Sequence, residues 1–308
     1  MHPAASIIVF STLSGLGYGL AVWLALGIPH PASPAGRIGY ALALALIAAG
    51  LVSSTLHLGR PDRAWRAVSQ WRSSWLSREG LAALLAFVPL GLAAMGAIVF
   101  GEDWRVFGVL GAALGLIVVV CTAMIYASLR TVAQWNTWLT PCVYLAFSLA
   151  GGLHLAAVLE SLAGEFRAPL LLAALAALLT AWAIKTLWWW RAARIRSSST
   201  PESATGLGHL GRVRLFERPH VTKNYLTREM GFSIARKHAR KLRRISVAAG
   251  CLLPALALLV ALVAPGPVGG AALVLGLLCL AAGILVERWL FFAEARHTVM
   301  LYYGATAA

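Results

Sequence analysis

The chain has 308 residues, of which 60% are hydrophobic and 12% are charged, and its mean hydropathy is +0.77. A soluble domain carries about 25% charged residues, so the composition excludes a soluble protein and predicts an integral membrane protein. The net charge of +15 does not indicate nucleic-acid binding, because all but two of the 26 Lys and Arg residues lie in, or at the edges of, the loops between long apolar runs.

Eight apolar runs follow one another along the sequence. They cover residues 6–27, 36–57, 79–100, 105–128, 142–163, 168–190, 245–264 and 268–292. About 20 residues in a helix cross the roughly 30 Å hydrocarbon core of a bilayer. Backbone groups in lipid must bond to one another, so the runs are helices rather than open strands. The sequence therefore predicts an all-α, polytopic membrane protein with eight transmembrane helices, which form a single anchor domain over residues 1–308.

The fifth and seventh runs each carry a feature that can interrupt a helix. In the fifth run, the Gly151-Gly152 pair predicts either a kink or a close contact with another helix. The seventh run carries Pro254, and the sequence Pro265-Gly266-Pro267 that closes it predicts a firm helix stop.

The loop between the second and third runs, from His57 to Glu79, concentrates the candidate chemistry. It holds five arginines and three tryptophans, which are Arg60, Arg63, Arg66, Arg72, Arg78, Trp65, Trp71 and Trp75. His57 is either a helix-end residue that hydrogen-bonds a carbonyl or a ligand and proton acceptor for a quinone, since imidazole titrates near neutrality. Glu79 is either a first-turn acid favoured by the helix dipole or the second proton-handling group.

Three more residues of this loop complete the predicted quinone site. We expect Arg60 and Arg72 to hold a headgroup oxygen or to pair with Glu79. Trp71 belongs to the same predicted site, although all three tryptophans also fit the aromatic belt that is common at membrane interfaces.

Eight spans place both termini on one face of the membrane, here called side one. Its loops carry 21 Lys and Arg residues, whereas the loops of side two carry three, Arg37, Arg105 and Arg167. The positive-inside rule then predicts that side one, with both termini, is cytoplasmic and that the protein lies in the bacterial inner membrane. The N-terminus lacks the positive region of a cleavable signal peptide.

The segment 191–244 is the only long polar stretch, and it is predicted to be an extramembrane basic loop between the sixth and seventh helices. Its first part is rich in Ser, Thr and Gly, whereas its second part is basic and compatible with a helix. That second part is interpreted as an amphipathic helix on the anionic leaflet, as a docking surface for an acidic partner subunit, or as both.

Ionisable residues inside the apolar runs are the other functional candidates. Lys185 and Glu287 either form an ion pair between helices or serve a function, and Arg288 follows Glu287 directly. His154 is the only His deep in a helix, so bis-His haem ligation is not expected. The four cysteines, Cys121, Cys142, Cys251 and Cys279, form no closely spaced set, and we therefore expect no metal site or iron–sulfur ligand set in this protein.

Several segments resemble one known family. The N-terminal MHPAASIIVFSTLSGLGYGL, the loop segments STLHLGRPDRAW and SSWLSREG, CTAMIYASLRTVAQWNTW and the C-terminal ERWLFFAEARHTVMLYYG are similar to parts of the dimethyl sulfoxide reductase anchor subunits. The resemblance implies eight helices, no haem, and quinone as the only cofactor bound by this chain. By motif, the quinol-site His and Glu of that family match His57 and Glu79.

The same resemblance implies two partners, a molybdopterin catalytic subunit and a subunit with several [4Fe–4S] clusters that docks on the side-one loops. Relatives that oxidise sulfite are cytoplasmic, whereas the sulfoxide reductases carry export signals on their catalytic subunits. The cytoplasmic orientation of side one therefore favours a sulfite-oxidising complex that passes electrons to quinone. A sulfoxide reductase anchor that oxidises quinol is the first alternative.

A secondary transporter is the alternative from another class. Transporters of that kind show internal repeats and charged residues at the membrane midplane. This sequence shows no internal repeat, and its charges cluster at one face.

Overall fold

A computed structural model describes residues 3–55, 60–63, 65–195, 199–217, 222, 224–231 and 234–306. These residues form helices and connecting loops, and no β-strand occurs among them. The α-helices are α1 Ala5–Ala25, α2 Pro34–Thr55, α3 Trp65–Ser69, α4 Trp75–Met95, α5 Arg105–Ala127, α6 Leu139–Leu162, α7 Ala168–Arg194, α8 Pro201–Thr205, α9 Tyr225–Glu229, α10 Ile234–Val247, α11 Leu253–Val263 and α12 Pro267–Ala293. Short 3-10 helices cover Pro61–Arg63, Gly208–Leu210 and Thr298–Tyr303, and π-helical turns cover Gly96–Phe100 and Ala248–Leu252.

Eight helices among the described residues are long and apolar enough to cross a membrane, as the sequence predicts. They are α1, α2, α4 with its π-turn, α5, α6, α7, the continuous helix of α10 and α11, and α12. The all-α polytopic fold class is therefore confirmed.

The helix that contains Glu79 begins earlier than its apolar run suggests. Ser74 is its N-cap and accepts a hydrogen bond from the backbone N–H of Ser77 at 3.4 Å. The helix thus starts at Trp75, and Glu79 lies in its second turn rather than at its entry. Hydropathy misses this first turn because three of its four residues, Trp75, Ser77 and Arg78, are polar or aromatic.

The basic helix α10 is not a separate element on the membrane surface. It continues through the π-turn Ala248–Leu252 into α11, so the seventh membrane helix extends beyond its apolar run. Arg243 pairs with Glu294 at 2.9 Å, and the Ser246 hydroxyl donates to the Gly283 carbonyl at 3.0 Å. These contacts hold the basic helix against α12.

Helices α1 and α6 form the centre of the bundle, and α6 is the most buried span. A Cβ atom on Gly19 of α1 would lie 1.8 Å from the Ser148 carbonyl oxygen, and one on Gly152 would lie 2.1 Å from the Gly19 carbonyl carbon. Only glycine permits this approach. Because α6 runs unbroken from Leu139 to Leu162, the Gly151-Gly152 pair marks a close helix contact rather than a helix break.

The central helix α1 carries a row of small polar residues in its first half. The hydroxyls of Ser11 and Thr12 donate to the Ile8 carbonyl at 3.2 and 2.8 Å, and that of Ser14 donates to the Phe10 carbonyl at 2.6 Å. Each polar hydrogen is therefore satisfied within the helix itself, as Ser and Thr allow.

The π-turn before α11 lies directly upstream of Pro254. Proline has no N–H to donate to the carbonyl four residues earlier, which belongs to Gly250. The Trp182 indole N–H of α7 donates to that carbonyl instead, at 2.7 Å. The helix then continues to Val263 and ends just before the Pro265-Gly266-Pro267 stop, as predicted.

Candidate functional site

Of the predicted quinone-site residues, Arg60, Trp71 and Arg72 lie in the side-one loop between α2 and α4, and Glu79 lies near the side-one end of α4. His57 lies outside the described residues. Arg60, Trp71 and Arg72 are exposed, with Trp71 48% accessible. Glu79, in contrast, is 4% accessible and faces the bundle interior.

Arginine–tryptophan stacking shapes the described part of the loop. The guanidinium carbons of Arg66, Arg72 and Arg78 lie 5.4, 5.4 and 4.3 Å from the ring centroids of Trp65, Trp71 and Trp75, respectively. Such cation–π contacts place a positive charge beside an amphipathic ring at the water boundary. The loop thus presents a basic, aromatic surface above Glu79.

Arg78 fixes the loop backbone, a role that sequence reasoning did not assign to it. Its Nε donates to the Trp71 carbonyl at 2.9 Å, and its Nη2 donates to the Arg72 carbonyl at 2.8 Å. The position directly before the acid Glu79 was a signal that could have singled out Arg78. The backbone that carries Trp71 and Arg72 is therefore tied to the first turn of α4.

Glu79 bonds to Thr122 of α5, not to an arginine. The Thr122 hydroxyl donates to Glu79 Oε1, and both side chains are buried. Neither Arg60 nor Arg72 forms an ion pair with Glu79 among the described residues, so that part of the prediction is wrong. The reason is geometric: Glu79 points from the second turn of α4 towards α5, whereas both arginines remain in solvent.

Thr122 can serve Glu79 in either protonation state. Its hydroxyl also lies 3.0 Å from the Val118 carbonyl, a second acceptor for the same hydrogen. When Glu79 is ionised, Thr122 donates to the carboxylate. When Glu79 is protonated, the carboxylic acid donates to Thr122 Oγ1, which then donates to Val118. The pair can thus take up or release a proton without losing a hydrogen bond.

A second buried group, the Lys185 cluster, consists of Lys185 of α7 and Glu287 and Arg288 of α12. Lys185 Nζ contacts Glu287 Oε1, and Arg288 Nη1 lies 3.5 Å from Glu287 Oε2. All three side chains are at most 2% accessible. The predicted interhelical ion pair between Lys185 and Glu287 is confirmed.

Aromatic rings surround the cations of the Lys185 cluster. Lys185 Nζ lies 4.0 Å from the centroid of the Trp188 ring, and the Arg288 guanidinium lies 3.6 Å from that of Tyr144. Ring faces stabilise cations that have been removed from water. Two cations and one carboxylate leave the Lys185 cluster with an excess positive charge.

His154 is apart from both groups. Its Nε2 lies 3.2 Å from the Leu273 carbonyl, and its ring is buried between α6 and α12. The part of the protein that the structure describes contains no group of three or more His, Cys, Asp or Glu side chains arranged to hold a metal ion.

Comparison with known proteins gives a consistent result. Residues 5–304 match the model of the DMSO reductase anchor subunit (DmsC) family. The protein is 34% identical to a sulfite dehydrogenase subunit of Allochromatium vinosum, over the whole of both sequences. It is 31% identical to the anaerobic dimethyl sulfoxide reductase chain YnfH of Escherichia coli over 38% of this sequence and 42% of that one. It is 29% identical to an anaerobic dimethyl sulfoxide reductase chain of Haemophilus influenzae over 36% of this sequence and 41% of that one.

Proposed function

The protein belongs to the DMSO reductase anchor subunit family, and from that premise we propose that it is the quinone-binding membrane anchor of a complex that oxidises sulfite. In this proposal, a molybdopterin subunit takes two electrons from sulfite, and an iron–sulfur subunit on side one passes them to quinone. The choice of substrate rests on the full-length likeness to a sulfite dehydrogenase subunit, because the likeness to the sulfoxide reductases covers less than half of this sequence.

The quinone would bind at the side-one end of α4, between Glu79 and the basic, aromatic loop. Glu79 is a buried carboxyl whose neighbour Thr122 supports both protonation states. A quinone headgroup needs a proton donor of this kind, because each carbonyl oxygen gains one proton upon reduction. The cations of the loop would stabilise the negative charge that develops on the oxygen.

Orientation forms part of the proposal. The excess of Lys and Arg in the side-one loops supports a cytoplasmic side one, with both termini in the cytoplasm of a bacterial cell and the protein in the inner membrane. The partner subunits would then be cytoplasmic as well. The basic helix α10, held against α12 by the Arg243–Glu294 pair, would contribute to the docking surface.

The direct test is the activity of the complex purified from native membranes in mild detergent. We expect sulfite-dependent reduction of quinone, and no reduction of dimethyl sulfoxide by quinol. Sulfoxide reduction alone would retain the quinone site but identify the protein as a sulfoxide reductase anchor, the alternative that the family description favours.

The site is tested separately by His57→Ala in the same complex. We expect this variant to lose quinone turnover while it keeps sulfite oxidation with an artificial electron acceptor, since the acceptor takes electrons without passing through the anchor. Normal quinone rates in the variant would remove His57 from the site.

A further inference from the structure

A small cavity lies inside the bundle between Glu79 and the Lys185 cluster. Its volume is about 20 Å³, and its polar walls include Tyr18 of α1, Thr122 of α5, Tyr144 of α6 and Arg288 of α12. A space of roughly 10–15 Å³ or more is sufficient for one water molecule if polar groups surround it. The cavity meets both conditions.

The walls contain polar atoms that no described residue satisfies. The hydroxyls of Tyr18 and Tyr144 and the Nε atom of Arg288 are fully buried and have no hydrogen-bond partner among the described residues, while Arg288 Nη1 has its 3.5 Å ion-pair contact with Glu287 but no hydrogen bond. Buried polar atoms in native proteins nearly always have a hydrogen-bond partner, and ordered water is that partner where no protein group lies within hydrogen-bond distance. One water molecule in the cavity can accept from Arg288 and a tyrosine and donate to another oxygen.

The cavity touches each of the two buried groups. On one side, Thr122 lines it and donates to Glu79. On the other side, Arg288 lines it and pairs with Glu287. Tyr144 lines the same cavity, and the Arg288 guanidinium lies 3.6 Å from the centroid of its ring.

The Lys185 cluster in turn reaches a cleft on side one. Trp188, whose ring lies 4.0 Å from Lys185 Nζ, also lines a cleft of about 280 Å³. The same cleft contains the Arg243–Glu294 pair and lies at the side-one ends of α7 and α12. The Lys185 cluster is therefore separated from the side-one cleft by the single ring of Trp188.

We propose that the cavity holds a water molecule which, with the hydroxyls of Thr122, Tyr18 and Tyr144, conducts protons from the side-one cleft past Glu287 to Glu79. Arg288 positions the water without exchanging its own proton. This inference rests on the proposed function, in which each quinone takes two electrons from the iron–sulfur partner and two protons through Glu79 to become quinol. The two protons come from water on side one.

The test uses the assembled complex with Tyr144→Phe, which removes one hydroxyl and keeps the ring over Arg288. The control is Tyr40→Phe, another buried tyrosine, which lies near the side-two end of α2 and outside the cavity. The measurements are kcat and KM for quinone, the rate ratio between H₂O and D₂O, and turnover with an artificial electron acceptor.

For Tyr144→Phe we expect kcat for quinone to fall about tenfold, the size of one hydrogen bond lost from the rate-limiting step. The H₂O/D₂O ratio should rise, while KM and artificial-acceptor turnover stay at the wild-type values. Tyr40→Phe should match the wild type in all four. An unchanged kcat and an unchanged isotope ratio in Tyr144→Phe would overturn the proton path.

Glu79→Gln separates the two proposals. If Glu79→Gln is slow and Tyr144→Phe is normal, the quinone site stands and the path fails; if Glu79→Gln is itself normal, the proposed site fails. Should Tyr144→Phe fail to assemble, electron cryomicroscopy of the wild-type complex at a resolution that reveals water decides the question. A water molecule bonded to Tyr144 and Arg288 supports the path, and a dry cavity overturns it.

Discussion

The side-one half of the bundle buries more charged side chains than the side-two half does. In the side-one half, Glu79, Lys185, Glu287 and Arg288 lie buried within membrane helices. In the side-two half, Arg37, Arg105 and Glu165 lie exposed at helix ends or in loops, and the buried Glu160 lies at the end of α6, where it pairs with the exposed Arg167 at 3.4 Å. Exposed charges are solvated and cost little, whereas buried charges persist only where structure or function requires them. The contrast supports the placement of the proposed quinone site in the side-one half.

Glu287→Gln should have the largest effect on stability, because it leaves two buried cations without their shared carboxylate. We expect a loss of about 3–5 kcal/mol in the free energy of unfolding, the usual result of removing one partner from a buried ion pair. The double variant Lys185→Met/Glu287→Gln restores the original net charge and should recover most of this loss. Thermal unfolding of the purified complexes measures both; equal stability of the single variant and the wild type would contradict the structural role of the pair.

Glu79→Gln should have the largest effect on activity. Loss of the proton-exchanging carboxyl should lower quinone turnover by about 100-fold or more, the range of general acid–base catalysis. The glutamine can still bond to Thr122, so assembly and turnover with an artificial acceptor should stay at wild-type levels. A fall in artificial-acceptor turnover would instead point to a structural defect.

Thr122→Val should have a smaller effect on the same activity. It removes the hydroxyl that satisfies Glu79, which is worth about 1–3 kcal/mol for a buried group and should slow quinone turnover by about tenfold or more. Thr122→Ser keeps the hydroxyl and is the matched control. Equal rates in the Val and Ser variants would show that the hydroxyl is not used.

Glu165→Gln, on side two, should have the smallest effect. Arg167 donates to Glu165, with Nε at 3.1 Å, and this hydrogen bond lowers the pKa of the exposed carboxyl below its ordinary 4.5. A lowered pKa adds stability only above the ordinary value, and this contribution disappears as the pH falls through the lowered value. We expect the melting temperature at pH 7 to remain within about 2 °C of wild type. A larger shift would mean that side two also depends on charge.

Hydropathy alone predicts the eight spans, because a bilayer selects for length and apolar composition. The site could be predicted only in part. Glu79 is visible as an acid at the edge of an apolar run, but its partner Thr122 lies 43 residues away, and a hydroxyl fits in any membrane helix. The motif alone does not exclude a bond from Glu79 to Arg60 or Arg72, because the direction in which Glu79 points depends on a helix start set by the Ser74 cap. The continuity of α10 with α11 was missed for a related reason. The apolar run begins only after the basic residues of α10, whereas the helix already includes them.

The position of α1 at the centre has a consequence for biosynthesis. Helix α1 leaves the ribosome before the other seven spans, whereas α6, its partner in the close glycine contact, begins 114 residues after α1 ends. At a synthesis rate of about 5–20 residues per second, the central helix waits in lipid on the order of ten seconds for that partner. The hydroxyls of Ser11, Thr12 and Ser14 already donate to carbonyls of their own helix. The nascent α1 can therefore wait in the bilayer with these three hydroxyls satisfied and still offer their oxygen lone pairs once the bundle closes around it.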